Sequence, residues 1–216
     1  MNLNPWLEIP SSDYENHMSA SNVGQLQVLN KIIKDVLDEF NPKSICILGC
    51  TTGNGFEHLI NRDINEIVGI DINKNYLEEC YKRFHHFLPQ LKLICADLND
   101  IDLHSNKFDL IHAALIFEYV HVKKVLNKIK KWLKHQGILC AVFQLPSENA
   151  APVSETPYVS LKSLSSIMTL FDKAEIERMI KEKFLLINSY NVNLPQNKKF
   201  FVVYCKKKNE CVDEID

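Results

Sequence analysis

Residues 47–55 read ILGCTTGNG, an apolar run that opens into Gly49, Gly53 and Gly55 and leads on to the helical pattern Phe56–Ile60. Glycines so placed let a ligand lie close against the backbone. Two acids end the next two apolar runs. Asp71 closes Gly69-Ile70-Asp71, 22 residues after Gly49, and Asp97 sits in Ala96-Asp97-Leu98. An acid at the first position can hydrogen-bond ribose hydroxyls. One at the second can accept from the exocyclic amine of an adenine. Both also suit a plain role, capping strand-to-helix turns. After a fourth run, Glu118, Tyr119 and His121 are candidate substrate contacts and catalytic groups, or the simple lead-in to a helix. His112, inside that run, reads as a hydrogen-bonded core histidine.

The glycines do not fit the common phosphate cradles. A P-loop needs Gly-Lys-Ser/Thr, whereas Gly55 is followed by Phe56 and Glu57. The fingerprint GxGxxG fails at Thr51 and Asn54. The GxxxGxG of short-chain dehydrogenases fits Gly49, Gly53 and Gly55, and Tyr158 with Lys162 could supply that family's Tyr-x-x-x-Lys. Against it, Pro157 precedes Tyr158, and Ala113-Ala114-Leu115-Ile116 stands where Asn-Asn-Ala-Gly belongs.

The elements that must position these residues alternate. Apolar runs at 44–48, 66–70, 91–96, 108–113 and 137–143 read as strands. Helical patterns separate them at 56–60, 74–86 and 122–135, after a first helix running from Val23 to Phe40 and stopped by Pro42. Strands so continuously apolar are covered on both faces, as in a parallel sheet with crossover helices. Asp172-Lys173-Ala174-Glu175 opens a further helix with a capping box. Runs 184–192 and 199–206, joined by a short loop, form an antiparallel pair. The expected fold is α/β, a doubly wound, mostly parallel seven-stranded sheet closed by an antiparallel C-terminal hairpin.

The 216 residues are 46% hydrophobic and carry a formal net charge of −2. That suits one domain with a sizeable core and gives no general pull toward nucleic acid or anionic lipid. No apolar run approaches the length of a membrane span, and the N-terminus lacks the pattern of a secretory signal. The seven cysteines show no zinc spacing. They read as buried thiols in a reducing cytoplasm, and no metal site is expected.

Taken together, ILGCTTGNG, VGID, ADL, FDLIHAALIFEYV and WLKHQGILCAVF, in this order, resemble the class I S-adenosylmethionine-dependent methyltransferase family over residues 22–207. The resemblance implies S-adenosyl-L-methionine as cofactor and methyl transfer to an oxygen or nitrogen nucleophile of a small molecule. It implies cofactor contacts from Gly49, Cys50, Thr51 and Gly53 in the first turn. Asp71, Ile72, Asp97 and Leu98 would follow, then Ala113, Ala114 and Leu115. Two positions depart from the family: Ile47, where many members carry an acid, and Thr51, where many have glycine. A positive φ at Thr51 would cost roughly 1–3 kcal/mol. These departures leave open a protein that binds the cofactor without catalysis.

The resemblance also suggests a division into an N-terminal lid, 1–21, the domain, 22–207, and a tail, 208–216. Tyr14 and His17, three apart, would share a helix face over the cofactor. Lysines 123, 124, 128, 130, 131 and 134 form either a solvated helix face or an RNA-facing patch. No RNA-binding module accompanies them, so a nucleic acid substrate is not expected. The long connection 145–171 is a candidate lid or a surface excursion with a short helix near 161–170, and Gln144 and Tyr158 could face substrate.

Overall fold

The computed structural model describes residues 4–208; Cys211 and the tail beyond residue 208 lie outside them. Seven strands form one sheet: β1 (Ser44–Leu48), β2 (Glu66–Asp71), β3 (Leu91–Cys95), β4 (Phe108–Ala114), β5 (Leu133–Gln144), β6 (Phe184–Asn193) and β7 (Lys199–Lys207). Their order is β3-β2-β1-β4-β5-β7-β6. The first five pair in parallel, and β7 runs antiparallel between β5 and β6. The α-helices are α1 (Ser11–Ser19), α2 (Gln25–Phe40), α3 (Lys74–Phe84), α4 (Val122–Trp132) and α5 (Lys173–Lys181).

Why the strands are apolar at every position is visible in the two cores. Ile45 and Ile47 of β1 face one cluster, shared with Ile33, Val36 and Leu37 of α2. Cys46 and Leu48 face the other, shared with Val125, Leu126 and Ile129 of α4. Successive side chains on a strand point to opposite faces, so a strand covered on both sides needs apolar residues throughout. Helix α2 ends where Asn41 takes a left-handed conformation, φ 41°, and donates back to Leu37 O, just before Pro42. Helix α5 opens with the capping box of Asp172 and Glu175.

Three elements differ from expectation. Helix α4 stops at Trp132, three residues short of His135. Leu133 is fully buried and already pairs with Phe108 of β4, which pulls the chain into the sheet one turn early. The segments after β1 and before α5 form 3-10 turns, at Phe56–Leu59 and Val159–Ser166, rather than α-helices.

At the far end of the sheet, β6 and β7 are joined by Leu194–Lys198. Gln196 and Asn197 both have φ 57°, and Lys198 N–H donates to Pro195 O at 3.3 Å. That is a type I′ turn, whose twist matches the strands it joins. It delivers Lys198 to the carboxyl edge of β5, next to Gln144.

Candidate functional site

The first turn is built by backbone. Gly49 and Cys50 N–H both donate to Ile70 O, at 2.8 and 3.1 Å, which ties the β1 end to β2. Gly49 has φ +67°, and a Cβ there would stand 3.1 Å from Ile116 Cδ1, so glycine keeps this wall open. Thr51 has φ 46°, the left-handed region that a β-branched residue avoids. Its N–H donates to Asp71 Oδ2 at 2.9 Å, and Asn73 N–H donates to Oδ1 at 2.8 Å. Hydrogen bonds to a charged acceptor contribute about 1.5–3 kcal/mol each, enough to offset the strain at Thr51. Burial pushes the Asp71 carboxyl up to about 6, and backbone donors from Asn73, Thr51 and Ile72 oppose the shift.

A single cavity runs along the carboxyl edge of the sheet and holds about 1090 Å³ of space, its open mouth included. The strand order lays out its floor: Asp97 after β3, Asp71 at β2, Gly49 after β1, Leu115 after β4, Gln144 at β5 and Lys198 before β7. Leu115 is a second non-glycine residue at positive φ, 52°, held by its N–H to Val142 O at 2.9 Å. Two strained residues on one cavity wall fit the usual clustering of strain at functional sites.

The roof has two pieces. One is the N-terminal segment. Trp6 meets Tyr119 edge-on at 5.1 Å, and Tyr14 packs against Trp6 and Tyr76 at 6.0 and 5.6 Å. Asn73 Nδ2 donates to Trp6 O at 2.8 Å, and Glu15 pairs with Arg83 and accepts from Thr52 Oγ1. The other piece is the connection after β5, which contributes Pro152, Val153, Ser154, Leu161, Leu164 and Met168. The pieces are fastened together: His17 Nδ1 lies 2.8 Å from Thr156 Oγ1, and Ser160 Oγ donates to Asp13 Oδ2 at 2.7 Å.

At the β5 end Gln25 Nε2 donates to Gln144 Oε1 at 3.2 Å, and Gln144 Nε2 donates to Pro152 O at 2.8 Å. Lys198 Nζ donates to the same carbonyl at 2.9 Å. Burial lowers the Lys198 pKa to about 8, and burial with the nearby Lys198 charge lowers that of His17 to about 4.

Of the residues singled out from the sequence, Tyr14, His17, Gly49, Thr51, Asp71 and Ile72 line the cavity. So do Asp97, Leu98, Ala114, Leu115, Tyr119 and Gln144. Five others do not. Cys50 turns its sulfur toward Gly69, where an added Cβ would meet it at 2.9 Å. Gly53 is required by packing instead: a Cβ there would lie 2.7 Å from the Phe84 ring of α3. Ala113 alternates to the opposite core. Glu118 is buried behind the cavity, its Oε1 accepting from Gln144 N–H at 2.8 Å. His121 is exposed and precedes α4, its N–H bonded to Asn99 Oδ1. Neither Glu118 nor His121 lines the cavity. Tyr158 also lies off the cavity wall, which separates the Tyr158–Lys162 pair from the site. His112 is buried as expected, but its Nδ1 has no hydrogen-bond partner; burial lowers its pKa to about 4 and keeps it neutral.

The basic face of α4 is largely engaged. Lys124 and Lys131 pair with Asp100 and Asp102 at 3.6 and 2.6 Å, and Lys134, which lies beyond the helix in β5, pairs with Asp109 at 3.0 Å. Lys128 Nζ donates to the carbonyls of Leu98, Asn99 and Ile101. Among the described residues no helix is long and apolar enough to cross a membrane.

Residues 47–141 match a family model described as a methyltransferase domain. An uncharacterized protein of Methanocaldococcus jannaschii is 35% identical over 102 residues, 47% of this chain and 42% of that protein. The chain thus spans less than half of that relative's length. Among solved structures, the N-methyltransferase NodS of Bradyrhizobium japonicum, in complex with S-adenosyl-L-homocysteine, aligns with a TM-score of 0.66 at 12% identity, over 86% of this chain and 88% of that one. An S-adenosylmethionine-dependent methyltransferase of Mesorhizobium loti aligns with a TM-score of 0.63 at 16% identity, over 80% and 96% of the two chains. At such identities the structural likeness speaks for the fold.

Proposed function

We propose, from the match of residues 47–141 to a methyltransferase domain and the fold shared with solved methyltransferases, that this chain is a class I S-adenosylmethionine-dependent methyltransferase that transfers a methyl group to an oxygen or nitrogen nucleophile of a small molecule held in the cavity. The observation that carries this reading is the cavity's enclosure. Its floor is the sheet edge, and its two roof pieces are bonded to each other, which suits a small acceptor better than a nucleic acid strand. The lysines of α4 do not supply a competing surface, because several are matched by acids or carbonyls.

The residues fit the cofactor. Asp71 presents a buried carboxylate on the cavity wall, and we assign it to the ribose hydroxyls. Half-buried Asp97, steadied by Asn99 N–H at 2.7 Å, takes the adenine amine. Ile72 and Leu98 flank the base, and Gly49 leaves room for the amino acid portion. Tyr14 and His17 close over it as part of a lid, residues 1–21, on the domain 22–207. S-adenosylmethionine supplies an activated methyl on a sulfonium that is its own leaving group. The protein's task is then to orient a nucleophile, which can account for roughly 7–11 kcal/mol of a barrier. We assign that task to Tyr119 and Gln144, which line the cavity, rather than to Glu118 or His121. The six described cysteines are free, which suits a reducing cytoplasm.

Incubation with methyl-labelled S-adenosylmethionine against a pool of small metabolites and a pool of RNA tests the reading. Label in the metabolite pool is expected. Label in RNA alone would overturn the small-molecule assignment, and cofactor binding without transfer to either pool would favour a non-catalytic binder.

A further inference from the structure

The β5 end of the cavity contains donors that the protein itself leaves short of acceptors. Lys198 is 3% exposed. An ammonium has three donors, and the one hydrogen bond found for it goes to Pro152 O. No carboxylate lies within ion-pairing distance of it among the described residues. Two residues from Pro152, the hydroxyl of Ser154 is buried and has no hydrogen-bond partner. Both residues line the cavity. A buried cation without a counter-ion and a buried hydroxyl without a partner each cost free energy, and acceptor oxygens of a ligand in the cavity would relieve that cost.

Building on the methyl-transfer reading above, we propose that Lys198 and Ser154 form an anchoring subsite for a carboxylate on the methyl acceptor. The charge count favours a carboxylate over a phosphate. Among the described residues, Lys198 is the one lysine on the cavity wall, and no arginine joins it. His17 does not add a second cation, since its pKa is held down to about 4. A single ammonium with a neutral hydroxyl matches a monoanion. A phosphate dianion would be left half-compensated in a buried site. Lys198 keeps its charge at neutral pH, its pKa of about 8 lying above 7. Apart from Gln25 and Gln144, which hydrogen-bond to each other, the wall is supplied by apolar side chains such as Met18, Leu29, Leu161, Leu164 and Met168, so the acceptor is an acid with an apolar body. The two ends of the cavity then have opposite signs: carboxylates where the nucleoside lies, an ammonium where the acceptor's acid lies. That polarity fixes which way round each ligand enters.

Calorimetry with benzoate, benzamide and phenyl phosphate, each with and without saturating S-adenosylhomocysteine, tests the assignment on the intact protein. Benzoate is expected to bind at least roughly tenfold more tightly than its neutral isostere, the loss that follows removal of one charged hydrogen-bond partner. Equal binding of benzoate and benzamide, or tighter binding of phenyl phosphate, would overturn it. Lys198→Met should lower benzoate affinity by about the same factor and leave S-adenosylhomocysteine affinity within about twofold, and Lys198→Arg should restore much of the loss. Unchanged benzoate affinity in Lys198→Met would also refute the subsite. Failure of the wild-type protein to bind S-adenosylhomocysteine would instead count against the methyl-transfer reading, and the benzoate–benzamide comparison would still decide the subsite.

Discussion

Glu118→Gln should flatten the dependence of stability on pH. Glu118 is 2% exposed; one carboxyl oxygen accepts from Gln144 N–H at 2.8 Å, and the other has no partner. Burial lifts its pKa from the ordinary 4.5 to about 7, with the backbone donors of Gln144 and Glu118 opposing. A pKa raised on folding means that the native state holds the proton more tightly than the unfolded chain. The stabilisation is therefore complete below pH 4.5 and is lost as pH rises through about 7. At 1.36 kcal/mol per unit, a shift of about 2.5 units corresponds to about 3 kcal/mol lost between pH 4 and pH 8. Glutamine keeps the oxygen that accepts from Gln144 and cannot ionise. Its buried amide adds a cost of about 1–3 kcal/mol if left unpaired, but that cost does not vary with pH. Urea unfolding of both proteins at half-unit steps from pH 4 to 8.5 isolates the effect, because other titrating groups cancel in the difference. Stability of Glu118→Gln should gain on the wild type by about 3 kcal/mol across that range. A difference that is constant with pH would show that Glu118 is not a desolvated carboxylate, and the account of its position behind Gln144 would fail.

Asp71→Ala should weaken S-adenosylhomocysteine binding roughly tenfold to a hundredfold by calorimetry, since it removes a charged acceptor from the ribose and the anchor of Thr51; unchanged affinity would mean that the nucleoside lies elsewhere. Thr51→Gly should raise unfolding stability by about 0.5–2 kcal/mol, the relief of left-handed strain less glycine's extra chain entropy, as read from the urea midpoint. Amide exchange over residues 6–20 should slow when S-adenosylhomocysteine binds, as expected of a closing lid; equal protection in both states would make the segment a fixed part of the wall.

The strands and their acids were readable from the sequence because each is a local signal. A short apolar run ending in Asp has few alternatives, and Asp71 and Asp97 fall where spacing put them. The geometry departs from these expectations in two ways. Ala113 and Cys50 follow the family's pattern but not the geometry; strand alternation sends Ala113 to the far core, and Cys50 fills the gap over Gly69. Gly53 was legible as a glycine that something approaches closely, yet the approaching group is Phe84. The second is long-range. Nothing in the sequence around Lys198 marks a site, and only the hairpin's return beside β5, 54 residues after Gln144, makes it a cavity residue. Gln25, Ser154 and Trp6 carried no local signal of a site. For His112, a strand position foretold burial but not that Nδ1 would lack a partner.

The layout of the floor along the sheet edge separates two histories within one protein. Under the assignment proposed above, the floor beneath the nucleoside comes from β1, β2 and β3, and the opposite end is borne by Gln144, the connection after β5 and a two-residue turn. Substitutions at Lys198 or Ser154 can therefore change which acceptor is taken without touching Asp71, Asp97 or Gly49. A lineage carrying this fold could exchange substrates by altering a hairpin tip and one surface loop, keeping its methyl donor throughout.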